Sequence, residues 1–138
     1  MKLIDTHTHI YLPEFDADRD EAINRAVQSG VVKLLMPNID TDSVSAMLSA
    51  EKRYPGICHP MIGLHPTSVK EDFMSQLNKL EELAASHKFC AIGEIGIDLY
   101  WDKSHLNEQI IVFKRQIAFA LKSGLPVVIH SRDSFPEV

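Results

Sequence analysis

Cysteine is scarce: Cys58 and Cys90 are the only two in 138 residues, and they stand far apart. They match no zinc-ribbon or Cys-x-x-Cys spacing. Each lies beside apolar residues and is expected to be a small buried hydrophobe in a reducing compartment. Positive charge is also short, with 14 Lys and Arg against 19 Asp and Glu, a net charge of −5. That balance excludes a protein that coats nucleic acid by charge alone. A bound dication could still grip phosphate locally. No apolar run approaches the roughly 18 residues of a membrane span. The opening Met1-Lys2-Leu3-Ile4 breaks at Asp5, too early for the apolar stretch of a secretory leader. A cytoplasmic location with no membrane partner is the expectation. Low-complexity tracts, linkers and strong repeats are missing too, so one domain is expected over residues 1–138.

What is present is an alternation of apolar runs and helical stripes, with a period near thirty residues. Strands are predicted over residues 2–10, 31–36, 57–64, 89–93 and 125–130. They are short, partly β-branched and bounded by Gly or Pro, as strands of a parallel sheet are. Helices are predicted between them. The first begins after Asp16 or Asp18 and ends at Gly30, with Ala22, Ile23, Ala26 and Val27 inward. The second opens at Thr41 and Asp42, and the third covers 71–87. The fourth is capped by Ser104, carries a stripe of Leu106, Ile110, Phe113, Ile117 and Leu121, and stops at Gly124. Such a run is a series of right-handed βαβ units, an α/β fold.

The polar residues fall at the carboxyl ends of those strands. His7 and His9, two apart in an extended segment, point to one face with Asp5 a step deeper. His65 follows strand 3, Glu94 follows strand 4, and His130 ends strand 5. In parallel α/β folds these ends carry the chemistry. Imidazole and carboxylate together suit Zn²⁺, Mn²⁺, Fe or Ni, and tolerate Mg²⁺. His7, His9, Glu94 and His130 are therefore candidate metal ligands. Glu94 is the natural bridge between two ions roughly 3.5–4 Å apart. His65, in a Gly-Leu-His-Pro turn, could contact a substrate phosphate or shuttle a proton. Arg132 could fork onto phosphate, and Asp98 lies near the same mouth. Each has a plainer alternative: a solvated turn carboxylate, a strand-end histidine, a structural salt bridge. Tyr100-Trp101 could stack on a base or simply anchor a loop. His59, His87 and His105 are expected to be structural or exposed.

Four stretches carry a resemblance. Ile4-Asp5-Thr6-His7-Thr8-His9, Gly63-Leu64-His65-Pro66, Gly93-Glu94-Ile95-Gly96-Ile97-Asp98 and Pro126-Val127-Val128-Ile129-His130-Ser131-Arg132 resemble, in that order, the TatD family of metal-dependent deoxyribonucleases. These belong to the amidohydrolase-like TIM barrels. The resemblance implies the first five βα units of a (β/α)8 barrel. It implies one or two divalent ions (Mg, Mn or Zn), with His7 and His9 on one, Glu94 bridging and His130 on the other. It implies hydrolysis of DNA phosphodiesters by an activated water, often from the 3′ end.

A TIM barrel typically has about 250 residues, and five strands are predicted here. The family pattern also includes a later histidine and a later aspartate beyond Val138. The chain is therefore expected to be the amino-terminal portion of a longer barrel. Strands 1 and 5 become open edges through which copies could associate. Another metallohydrolase activity on the same barrel, or a fragment without catalysis, are the other outcomes to be weighed.

Overall fold

A computed structural model describes residues 1–138. Five strands alternate with four long helices: β1 Leu3–Asp5, α1 Arg19–Gln28, β2 Val31–Met36, α2 Val44–Arg53, β3 Cys58–Pro60, α3 Phe73–Ser86, β4 Ile92–Asp98, α4 Leu106–Ser123 and β5 Val127–Arg132. Short 3₁₀ turns at Pro13–Phe15, Pro66–Ser68 and Phe135–Glu137 fill the connections. All neighbouring strands are parallel, in the order β1-β2-β3 and β4-β5. An Ile62–Ile92 bridge joins the two groups. Gly93 N donates to Ile62 O at 2.9 Å and Cys90 N to Pro60 O at 2.9 Å, so the sheet runs on from β3 to β4. This is the predicted α/β alternation. β1 and β5 stand at the ends, with Ile4, Val127 and Ile129 exposed.

The helices pack their apolar sides on the strands. Ile95 and Ile97 of β4 are fully buried, as are Met36, Met47 and Leu64. Burying each such side chain contributes about 1.5–3 kcal/mol before entropy is counted. Cys58 is buried, Cys90 half-buried, and both are free thiols, as expected. No helix is long and apolar enough to cross a membrane.

Several boundaries differ from the sequence reading. Regular strand β1 stops at Asp5 rather than continuing to residue 10. The segment stays docked beyond it, because Thr8 N donates to Leu35 O at 3.0 Å. Pro37 then offers no N–H with which to extend β2. β3 covers only three residues of the predicted 57–64 run. β4 is shifted toward the carboxyl side, so Glu94 lies within the strand instead of after it. β5 likewise runs past His130 to Arg132.

The capping of the helix starts also differs. Asp18 does stand at the N-cap position of α1, but its carboxylate makes no capping bond and instead pairs with Arg25 at 3.3 Å; Asp16 pairs with Arg19 at 2.6 Å. Ser104 bonds Asp102 instead of capping α4. Gly124 does end α4, in the left-handed conformation at φ 66°.

Candidate metal and catalytic site

The site is built on the face of β4. Side chains two apart on a strand share a face, so Glu94, Gly96 and Asp98 line up. The register sets His130 of β5 opposite Gly96. The bare glycine lets the His130 backbone come close, and its ring lies between two carboxylates. His130 Nδ1 meets Glu94 Oε1 at 3.1 Å and its Nε2 meets Asp98 Oδ2 at 2.8 Å. Gly96 has φ +143°, and a Cβ there would fall 1.9 Å from His130 O. No other residue fits. Gly93 is held similarly, since its Cβ would lie 2.7 Å from Val128 Cβ.

Glu94 is the centre. Its Oε2 lies 3.2 Å from His7 Nε2, 3.9 Å from His9 Nε2 and 3.8 Å from His65 Nε2. Two trios could hold a metal ion, His7–His9–Glu94 and His65–Glu94–His130, and they share this carboxylate. Glu94 is buried, which pushes its carboxyl up. The His130 hydrogen bond and the neighbouring His65 and His7 outweigh that, and the net shift is down. Asp98 behaves alike: burial raises it, but His130 and the backbone amides of Tyr100 and Trp101 bring it below its ordinary value. His130 is raised, first by its bond to Glu94, with burial opposing and Asp98 adding. With Nδ1 facing Glu94 and Nε2 facing Asp98, each nitrogen has its own carboxylate to accept an N–H, which favours the charged imidazolium in the metal-free ring.

His9 and His65 are each held by a partner two residues further along the chain. Tyr11 O–H donates to Pro37 O at 2.7 Å, and a carbonyl can only accept. The Tyr11 oxygen therefore accepts from His9 Nδ1–H at 3.0 Å. This leaves the Nε2 lone pair of His9 aimed at Glu94. Burial, then the nearby His7, lowers His9 and favours the neutral ring. The Thr67 backbone N–H can only donate, and it reaches His65 Nδ1 at 3.2 Å. The Thr67 hydroxyl lies nearer the same nitrogen, at 2.7 Å, and can accept or donate; His65 Nε2 lies 3.3 Å from His130 Nδ1. Burial lowers His65 to about 4, so it is neutral at pH 7. By distance His65 is a third candidate ligand beside Glu94 and His130.

Asp5 Oδ1 accepts from His7 N at 3.1 Å. Asp98 is 3% exposed and faces His130. The Arg132 guanidinium lies 3.7 Å above the Tyr100 ring and 5.4 Å from that of Trp101; both aromatics are exposed. His59, His87 and His105 stay outside the cluster, with His87 paired to Glu51 at 2.7 Å. Tyr11 and Thr67 are the partners that the sequence reading missed. Their only signal is position, each two residues after a candidate histidine.

The TatD related DNase family profile matches residues 4–138. An uncharacterized metal-dependent hydrolase of Bacillus subtilis, YabD, is 35% identical over 136 residues, covering 99% of this chain and 53% of that protein. A protein of Yersinia pseudotuberculosis named 3′-5′ ssDNA/RNA exonuclease TatD is 32% identical over 132 residues, covering 96% of this chain and 51% of its own length. The crystal structure of YjjV, a TatD homolog from Escherichia coli, superposes with a TM-score of 0.87 at 30% identity, covering 96% of this chain and 51% of that one. A TatD-family hydrolase of Entamoeba histolytica shares the fold, with a TM-score of 0.77 at 21% identity. The chain spans about half the length of the relatives it matches. The parallel strands are those of the barrel in these structures, and the match runs unbroken from Ile4 to Val138: the chain belongs to the TatD related DNase family.

Proposed function

We propose that this chain carries the His/Glu part of a divalent-metal site that hydrolyses phosphodiester bonds of DNA, working inward from a 3′ end. The observation that carries this reading is the convergence of His7, His9, His65 and His130 on the single buried carboxylate of Glu94. Mixed nitrogen and oxygen donors around one bridging-type carboxylate are what divalent ions of intermediate softness take. A relative at 32% identity is named as a 3′-5′ exonuclease of single-stranded DNA and RNA, so single-stranded nucleic acid is the substrate class to test first.

In this reading His7 and His9 would hold one ion, Glu94 would bridge, and His130 would serve the other. A bound dication would supply Lewis-acid charge for phosphate oxygens and a water acidic enough to act near neutral pH. The residues here do the rest. Tyr11 keeps the His9 tautomer that leaves Nε2 available. Asp98 takes the Nε2–H of His130 and turns its Nδ1 inward, as carboxylate partners of metal-binding histidines do. Protonated Nδ1 in the metal-free ring marks the place a cation would take, so binding releases that proton. His65 Nε2 lies at the same spot, where its N–H would suit a non-bridging phosphate oxygen. The Arg132 guanidinium would meet the phosphate chain further out.

The test is shortening of a 5′-labelled single-stranded oligonucleotide with Mn²⁺ or Mg²⁺. Stepwise loss from the 3′ end, abolished in Glu94→Gln and by chelator, is the expected result. Cleavage of small phosphoesters or amides with polynucleotides left intact would replace this reading by another metallohydrolase activity. Unchanged activity in Glu94→Gln would end it.

A further inference from the structure

Helix α4 buries two amides where apolar residues would be expected: Gln109 is 3% exposed and Gln116 5%. They are seven residues apart, close to two turns, and so share a face. Each closes a two-bond ring with one backbone residue. Leu64 N donates to Gln116 Oε1 at 2.7 Å, and Gln116 Nε2 donates back to Leu64 O at 3.1 Å. Asp98 N donates to Gln109 Oε1 at 2.9 Å, and Gln109 Nε2 donates to Asp98 O at 3.1 Å. This is the pairing a neighbouring strand would provide, delivered by a side chain.

Both clamped residues adjoin the site. Leu64 immediately precedes His65, and Asp98 is the residue whose carboxylate holds His130 Nε2. A buried amide is costly unless fully bonded. A leucine or methionine would fill the same space with no such requirement, so space-filling alone does not call for glutamine. What the amide adds is direction: two antiparallel bonds fix both the height and the rotation of the backbone unit they grip. We propose that Gln109 and Gln116 are positioning residues that bring His130, through Asp98, and His65 to their meeting point beside Glu94. Their purpose, though not the clamp itself, rests on the metal-site reading above.

The experiment is NMR on the metal-free chain, reading through-space contacts between histidine rings. His65 and His130 have centroids 4.4 Å apart, and His7 and His9, which α4 does not grip, 5.2 Å. In Gln109→Met and Gln116→Met the His65–His130 cross-peak should be lost while that of His7–His9 persists. Persistence of the His65–His130 cross-peak in both variants would overturn the proposal. So would loss of both contacts together, which would mean that the glutamines merely support the core. Should a methionine variant fail to fold, Gln→Asn, whose shorter amide cannot span both bonds, gives the same reading.

Mn²⁺ titration separates this from the metal proposal. A wild-type chain that binds no Mn²⁺ sinks that proposal while the ring contacts still decide the clamp. In a binding chain, Gln109→Met should weaken Mn²⁺ about tenfold. Met47→Ala, which opens a cavity at a buried position of α2, should leave the affinity unchanged. Equal weakening in the two would overturn the positioning role.

Discussion

Replacing Tyr11 by Phe removes one oxygen and leaves the ring in place. That oxygen is buried with its residue, which is 2% exposed, and it links His9 Nδ1 at 3.0 Å to Pro37 O at 2.7 Å. Without it, Pro37 O loses this donor and His9 its acceptor. A buried group left unpaired costs about 1–3 kcal/mol, so urea unfolding of the metal-free chain should show a loss in that range. The second effect concerns His9 itself. Freed of Tyr11, its ring can turn or exchange tautomers, and the lone pair on Nε2 is no longer held toward Glu94. Outer partners of metal-binding histidines are typically worth 10–100-fold in affinity. That is about 1.4–2.7 kcal/mol. The assay is Mn²⁺ titration by calorimetry on Tyr11→Phe and wild type, with ring ¹⁵N shifts of His9 reporting the tautomer. A variant that is less stable yet binds Mn²⁺ as tightly as wild type would refute the reasoning, because Tyr11 would then be a core residue and nothing more.

Other outcomes follow from the same contacts. Gly96→Ala should prevent folding or destabilise by more than about 4 kcal/mol in thermal melts, a loss reserved for severe local conflict, since its Cβ would sit 1.9 Å from His130 O; a stable Gly96→Ala chain would show that the β4–β5 register is wrong. The pH dependence of the metal-free chain has a definite sign. His65 falls from 6.5 unfolded to about 4 folded, so its contribution is complete above pH 6.5 and drains as pH drops toward 4. A shift of that size corresponds to about 3 kcal/mol. His65→Asn should flatten this limb relative to wild type, and an unaltered limb in denaturant titrations would count against the burial of His65. The raised His130 runs the other way, contributing below pH 6.5 and fading as pH rises through its folded value. Mn²⁺ binding should therefore strengthen as pH rises and the His130 proton leaves, which calorimetry in two buffers of different ionisation heat would read directly.

The order of strands and helices and the convergence of His7, His9, Glu94 and His130 were legible because each polar residue follows or ends an apolar run. The exact frame of β4 was not. Its alternation of Glu, Ile, Gly, Ile and Asp looks like a turn until the partner strand shows that Gly96 makes room for His130. On α4 the stripe of Leu106, Ile110, Phe113 and Ile117 does face the core, but the reading fails at its end and between its members for a related reason. Hydrophobicity selected Leu121, which is 79% exposed, and passed over Gln109 and Gln116, because a buried amide bonded to a backbone cannot be told from a solvated one by pattern. Val27, predicted on the inner face of α1, is 42% exposed. Tyr11 and Thr67 were silent because their roles depend on a carbonyl 26 residues away and on a local amide, respectively.

The central claim is that one carboxylate gathers the histidines around a divalent ion. Crystals of the chain grown with Mn²⁺, measured at a wavelength where manganese scatters anomalously, test it most directly. The expected result is a strong anomalous peak in direct contact with the Glu94 carboxylate and with His7 and His9. A map with no peak at Glu94, or with manganese bound only elsewhere on the surface, would contradict the account.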